Sequence, residues 1–210
     1  MKTLTKARLA IILSKLAVFD EPQAKLEQYP TPSEIGADVL WQAYMIGDIE
    51  NKSVVDLGCG SGILGLGAAM LGATPLLLLD RDEKALSLVH NNLSKLKSEG
   101  LLVDSKPIEI RHGFIEDLKA QTDVVIMNPP FGTRTVHADR IFVEKAMECA
   151  SVLYSFHKSE TLPYLRLFFA QKGWLISREW QFKFPLKATM AHHRRKIHYI
   201  DVCCIRAIKQ

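Results

Sequence analysis

Ser53-Val54-Val55-Asp56-Leu57-Gly58-Cys59-Gly60-Ser61-Gly62 runs from a short apolar strand pattern straight into three alternate glycines. Ile63–Leu71 then has helical spacing and stops at Gly72. A strand, a glycine turn and a helix in that order bring backbone close to a ligand, because glycine alone turns sharply without a side chain in the way. A dinucleotide site usually has G-x-G-x-x-G and offers a helix N-terminus to a pyrophosphate. This run is D-x-G-x-G-x-G, which suits a ligand without phosphate whose amino-acid part lies along the turn. Asp80 closes the next apolar run, Leu76–Leu79, and lies 22 positions after Gly58. An acid at the end of the second strand can accept both ribose hydroxyls of a nucleoside. The bland alternative makes Asp80 a helix cap, and the pairing with the glycine turn weighs against it.

The same alternation extends in both directions. Residues 4–18 read as an amphipathic helix, and Ser33 as the cap of a helix reaching about Ile46. Downstream, Asp82–Leu96 is a predicted helix, Ile108–Arg111 and Asp123–Met127 strands, Arg140–Ala150 a helix, Val152–Phe156 a strand and Leu162–Gln171 a helix. Trp174–Phe184 and Ile197–Ala207 read as two closing strands. Apolar strands alternating with helices predict an α/β fold, a seven-stranded, mostly parallel sheet with helices on both faces and an antiparallel edge hairpin. Such a sheet binds its ligand at the carboxyl ends of the strands, where the strand order reverses.

The fourth strand ends in Asn128-Pro129-Pro130-Phe131. Two prolines force the chain out of the sheet as a stiff loop. An aromatic amine is a weak nucleophile because its lone pair is delocalised. The Asn128 side-chain oxygen and the Pro129 carbonyl can accept its two N–H groups and turn that lone pair towards an electrophilic carbon. Phe131 offers a ring for a planar base. Read alone, Pro-Pro could equally end a buried strand, with Phe131 in a core.

Together the glycine turn, Asp80 and Asn128–Phe131 resemble the class I amino-methyltransferases. Gln28-Tyr29-Pro30-Thr31, Asp56–Gly60, Met127–Thr133 and Tyr154–Ser159 extend the resemblance to the methyltransferase-like protein 5 family, over about Leu26 to Ile208. The resemblance implies a Rossmann-like class I methyltransferase fold, S-adenosyl-L-methionine as cofactor and methylation of an adenosine N6 in small-subunit ribosomal RNA. It implies a cofactor site from Gln28, Tyr29, Thr31, Asp56, Gly58, Gly60, Gly62, Asp80, Phe114 and Asn128. Asn128, Pro129, Pro130 and Phe131 would do the chemistry. Phe156, His157, Lys158, His193, Arg194, Arg195 and Lys196 would approach the RNA. Residues 1–32 would form an N-terminal helix and cofactor-covering segment, and residues 33–210 the methyltransferase domain. Two departures stand out. Gly113 occupies the place of an acid that reads the cofactor adenine, leaving Phe114 backbone or Glu116 to substitute, and His192 replaces an aromatic residue. Relatives can work with a small zinc-binding activator that adds a strand to a sheet edge, for which Leu76–Leu79 is apolar enough; a buried central strand is the alternative.

A net charge of +4 permits a nucleic-acid partner without requiring one. His192–Lys196, with Arg134, His137, Lys183 and Lys187, is either a solvated loop or a phosphate-binding rim, and the resemblance favours RNA. No third ligand accompanies His192 and His193, so no metal site is expected. Cys59, Cys149, Cys203 and Cys204 have no C-x-x-C spacing and read as reduced, buried residues. No signal peptide or membrane span is expected, which suggests the cytoplasm, or the nucleus in a eukaryote. Rival functions are methylation of a glutamine amide in a protein, methylation of guanine N2, and a cofactor-binding scaffold without catalysis.

Overall fold

The computed structural model describes residues 4–19, 29–102, 107–131, 138–186 and 198–210. Helices α1 (Lys6–Leu13) and α2 (Ser33–Ile46) precede the sheet. Then come β1 (Val54–Leu57), α3 (Ile63–Met70), β2 (Leu76–Asp80), α4 (Glu83–Ser98), β3 (Ile108–His112) and β4 (Thr122–Met127). The chain continues through α5 (Ala138–Cys149), β5 (Ala150–Lys158), α6 (Leu162–Gln171), β6 (Trp174–Leu186) and β7 (His198–Lys209). The sheet order is β3-β2-β1-β4-β5-β7-β6. β1 to β5 run parallel, and β7 is antiparallel to both β5 and β6. This is the expected seven-stranded α/β methyltransferase fold.

Strand alternation sorts the side chains onto two faces. Val54, Leu76, Leu78, Val124 and Ile126 pack with α1–α4. Val55, Leu57, Leu77, Leu79, Val125 and Met127 pack with α5 and α6. A strand buried on both faces must be apolar throughout, which is why these strands were visible in the sequence. At the far end of the first layer, Asp48 accepts hydrogen bonds from Tyr154 Oη (2.6 Å) and Arg206 Nε (2.6 Å). Tyr154 and Arg206 are cross-strand partners on β5 and β7, so Asp48 anchors the end of α2 to that pair. All four cysteines are buried and unbridged.

Two expectations are corrected. Leu76–Leu79 is not an edge: β2 lies between β3 and β1 with all four leucines buried, so no strand can be added there. α1 stops at Leu13 rather than near residue 18. Beyond it the N–H and C=O of Ala17 bond to the Asn92 side chain, so they are unavailable for helix bonds. Leu16 still fills the core from this bent segment, which is why the apolar spacing looked helical. Among the described residues, no helix is long and apolar enough to cross a membrane.

α3 lies close against β1 and β2 at Gly65, and close against α2 at Gly67. A Cβ on Gly65 would run into the Leu78 side chain and come within 3.0 Å of Asp56 Oδ2. Leu78 is fully buried, so it can shift only by repacking its neighbours. Gly65→Ala is therefore expected to lower the unfolding free energy by about 1–3 kcal/mol, read from urea denaturation midpoints; an unchanged midpoint would show that α3 can move outward freely.

Candidate functional site

The strand order reverses at β1, whose neighbours are β2 and β4. The carboxyl ends of β1 and β4 therefore lie side by side, and a cavity of about 270 Å³ opens above them. Gly58, Gly60 and Gly62 have φ of +68°, +54° and +83°, conformations that residues with a Cβ rarely adopt. The first half of the turn is held down against the end of β2. Gly58 N and Cys59 N donate to Leu79 O (2.8 and 3.0 Å), and Gly60 N donates to Asp80 Oδ2 (2.8 Å). A Cβ on Gly58 would lie 2.9 Å from the Phe142 ring, so this glycine also makes room for α5.

Two carboxyl groups form the floor. Asp56 Oδ2 accepts the Gly65 N–H (2.7 Å) in the first turn of α3. Burial, against the lowering effect of that hydrogen bond and with a smaller push from the Asp80 carboxylate, raises the Asp56 pKa to about 7. Burial also raises the pKa of Asp80, opposed by the N–H groups of Asp82 and Gly60. Asp80 Oδ1 accepts from Asp82 N (2.9 Å), while Asp82 caps α4 with its own side chain. The helix-cap reading of Asp80 thus falls mostly to Asp82. Glu116 adds a further carboxylate to the wall, and Arg81 is the one cation among the described lining residues. An acidic cavity of this kind repels phosphate and attracts a ligand that carries positive charge. S-adenosylmethionine, with its sulfonium and ammonium groups and no phosphate, fits this donor set. Asp56, Gly58 and Gly60 would hold its amino-acid part, and Asp80 its ribose.

The second half of the site is the Asn128 amide. Its Nδ2 donates to Thr31 Oγ1 (3.0 Å) and, at 3.4 Å, towards Tyr29 O. A carbonyl can only accept, so the Tyr29 contact fixes which end of the amide is nitrogen. That leaves Asn128 Oδ1 buried with no hydrogen-bond partner among the described residues. Buried polar atoms are rarely left in this state, and here the residue lines the cavity.

The structure gathers most of the expected cofactor residues into one wall. Tyr29, Thr31, Asp56, Gly58, Gly60, Asp80, Phe114 and Asn128 all line the cavity; Gly62 caps α3 just behind it. Gly113 and Glu116 line it as well, and Phe114 is 57% exposed at its mouth. Of the motif, Asn128 and Pro130 face the cavity. Phe131 instead packs edge-on against Phe184, with centroids 5.9 Å apart. Phe19, Ile141 and Phe142 complete the wall and were not anticipated. Apolar side chains in a sequence look alike whether they line a cavity or fill a core, so no signal could have found them.

The RNA-facing assignments divide. Phe156 is 0% exposed and packs in the first core layer, facing Phe182. His157 is 2% exposed on the opposite face. Its Nε2 shares a 2.7 Å hydrogen bond with Ser155 Oγ, and its Nδ1 is 3.9 Å from Asp139 Oδ2 on α5. Burial pushes its pKa down to about 3, so the ring is neutral at physiological pH. The expectation that they face RNA meets two buried side chains, because β5 pairs with β7 through Lys158 and holds both inside the sheet. Lys158 is half-buried, 3.5 Å from Glu160. Lys183 pairs with Asp201 at 2.6 Å. Gln28, Arg134, His137, Lys187, His192, His193, Arg194, Arg195 and Lys196 lie outside the described residues.

Comparison with known proteins agrees with this geometry. Residues 33–154, more than half the chain, match the methyltransferase small domain family. The rRNA N(6)-adenosine-methyltransferase METTL5 of Danio rerio is 34% identical, over 92% of this chain and 94% of its own length. The corresponding Drosophila melanogaster enzyme is 30% identical, over 96% and 95%. Among solved structures, the Pyrococcus horikoshii protein PH1948, described as a candidate RNA methyltransferase, superposes with a TM-score of 0.87 at 36% identity, covering 99% of this chain and 98% of that one. The chain belongs to the methyltransferase small domain family, as an S-adenosylmethionine-dependent methyltransferase related to the rRNA adenine-N6 methyltransferases.

Proposed function

We propose that this protein transfers a methyl group from S-adenosylmethionine to the N6 amine of an adenosine in small-subunit ribosomal RNA. The observation that carries this reading is the orphaned Asn128 Oδ1, a buried acceptor on the cavity wall whose amide is already locked by Tyr29 and Thr31. The cofactor, when bound, supplies an electrophilic methyl group. Asn128 Oδ1 accepts one N–H of the adenine amine, and the Pro129 carbonyl is the second acceptor that the motif provides. Held at both hydrogens, the amine points its lone pair at the methyl carbon, so most of the barrier is lowered by orientation. Its proton becomes acidic only once the new bond forms, and no strong base is required.

The target base has to leave its stack to reach Asn128, so an unpaired or extruded adenosine is the substrate. An rRNA carrier is supported by the rRNA N(6)-adenosine methyltransferase activity of the Danio rerio and Drosophila melanogaster relatives and by the basic run at residues 192–196, and the small subunit by the family resemblance. Incubating the protein with methyl-labelled cofactor and rRNA from cells lacking the gene tests the substrate. Label is expected as N6-methyladenosine in small-subunit RNA; label as a guanosine derivative or in protein would replace this substrate.

Two further outcomes follow from the site. Asn128→Ala should lower kcat by on the order of 10²–10³, the usual loss when one oriented partner of a transition state is removed; retention of more than a tenth of the activity would remove Asn128 from the chemistry. Cofactor affinity should rise with pH through about 7 as Asp56 loses its proton and can attract the cation. The sign follows from a raised acid: below its pKa Asp56 is neutral and the attraction is missing. Titration calorimetry on Asp56→Asn should show weaker binding and a flatter pH profile. An unaltered profile would assign the dependence to Asp80 alone.

A further inference from the structure

We infer that Asn92, on α4 and outside the cavity wall, is a positioning residue that sets cofactor affinity by joining the N-terminal segment to the glycine turn. α4 turns Ala85, Leu86, Val89 and Leu96 inward, and Asn92 is the polar member of this buried set, 1% exposed. A side-chain amide costs free energy to bury unless its groups are bonded. Each of the three bonds made by Asn92 goes to backbone. Oδ1 accepts the Ala17 N–H (2.8 Å), and Nδ2 donates to Ala17 O (2.9 Å) and to Ser61 O (2.9 Å). The pair of hydrogen bonds with Ala17 copies the pairing of two peptide groups, so one side chain stands in for a neighbouring strand.

Both ends of this link lead to the cavity. Ser61 is buried within the glycine turn, between Gly60 and Gly62, and lines the cavity. Phe19 is two residues beyond Ala17 and also lines it; a Cβ on Gly60 would be 3.9 Å from the Phe19 ring. One turn further along α4, Lys95 Nζ donates to Lys15 O (2.7 Å) and keeps the same segment along the helix. Asn92 therefore fixes the spacing between Ser61 and Phe19 across the cofactor end of the cavity. It touches neither Asn128 nor the cavity, so its effect falls on cofactor binding and not on the chemical step. The inference rests on the reading of the cavity as an S-adenosylmethionine site.

The test uses the full-length protein, with S-adenosylhomocysteine binding measured by calorimetry beside kcat at saturating cofactor and KM for RNA. Asn92→Asp keeps the size and the acceptor but loses both donors. Its Kd is expected to rise about tenfold, with kcat and RNA KM within about twofold. Ala17→Pro removes the N–H donor from an exposed position and leaves the α4 interior intact; its Kd should rise in the same direction, which keeps the test open if Asn92 variants do not fold. A Kd unchanged in both variants, or losses shared equally by kcat and RNA KM, would overturn the role of Asn92 while leaving the cofactor reading standing. A wild-type protein that binds no S-adenosylhomocysteine would overturn both.

Discussion

β1 is hydrogen-bonded to β2 along one side and to β4 along the other, all three parallel and in register from Val54. The glycine turn leaves one end, Asp80 stands at the next, and Asn128 at the third. The residues proposed to bind cofactor and to hold the amine, about 50 to 70 residues apart in sequence, become neighbours only because of this pairing. Apolar side chains on both faces of these strands are buried under helices, and that burial holds the three strands together.

Around that core the protein places polar groups where apolar ones would be more stable. Asp56 is almost wholly buried with a pKa near 7, and Asn128 keeps an oxygen without a partner. Both are costly in a folded protein at rest. Both make sense if a cationic ligand and an amine complete them. Local rules of stability and the arrangement of the site conflict here, as they do at binding sites generally. By contrast, the polar contacts of Asp48 with Tyr154 and Arg206 are satisfied and far along the sheet, as expected for a structural role.

Much of this was legible in the sequence, for physical reasons that can be named. The central strands are apolar at every position, and Gly58, Gly60 and Gly62 mark a turn that requires positive φ. Asp80 and Asn128 end strands, which fixes them at one rim of the sheet. The misreadings share a cause: they depend on what lies across space. Phe156 and His157 follow the apolar run of β5 and resemble residues that meet a nucleotide, but antiparallel pairing to β7 carries β5 on through Lys158 and buries both. Asn92 follows His90 and Asn91 in what reads as a polar stretch of helix, and only the fold turns it inward. The edge-on contact of Phe131 with Phe184, on a strand about 50 residues further along, likewise depends on the fold.

The central claim is that Asn128 Oδ1 is the acceptor waiting for a substrate amine. A crystal structure of the protein with S-adenosylhomocysteine and adenosine tests it most directly. The account predicts the cofactor product along the glycine turn with its ribose on Asp80, and the adenosine N6 within hydrogen-bonding distance of Asn128 Oδ1, about 2.7–3.2 Å. An adenosine bound elsewhere, or an Asn128 amide turned to present Nδ2 to the ligand, would contradict it.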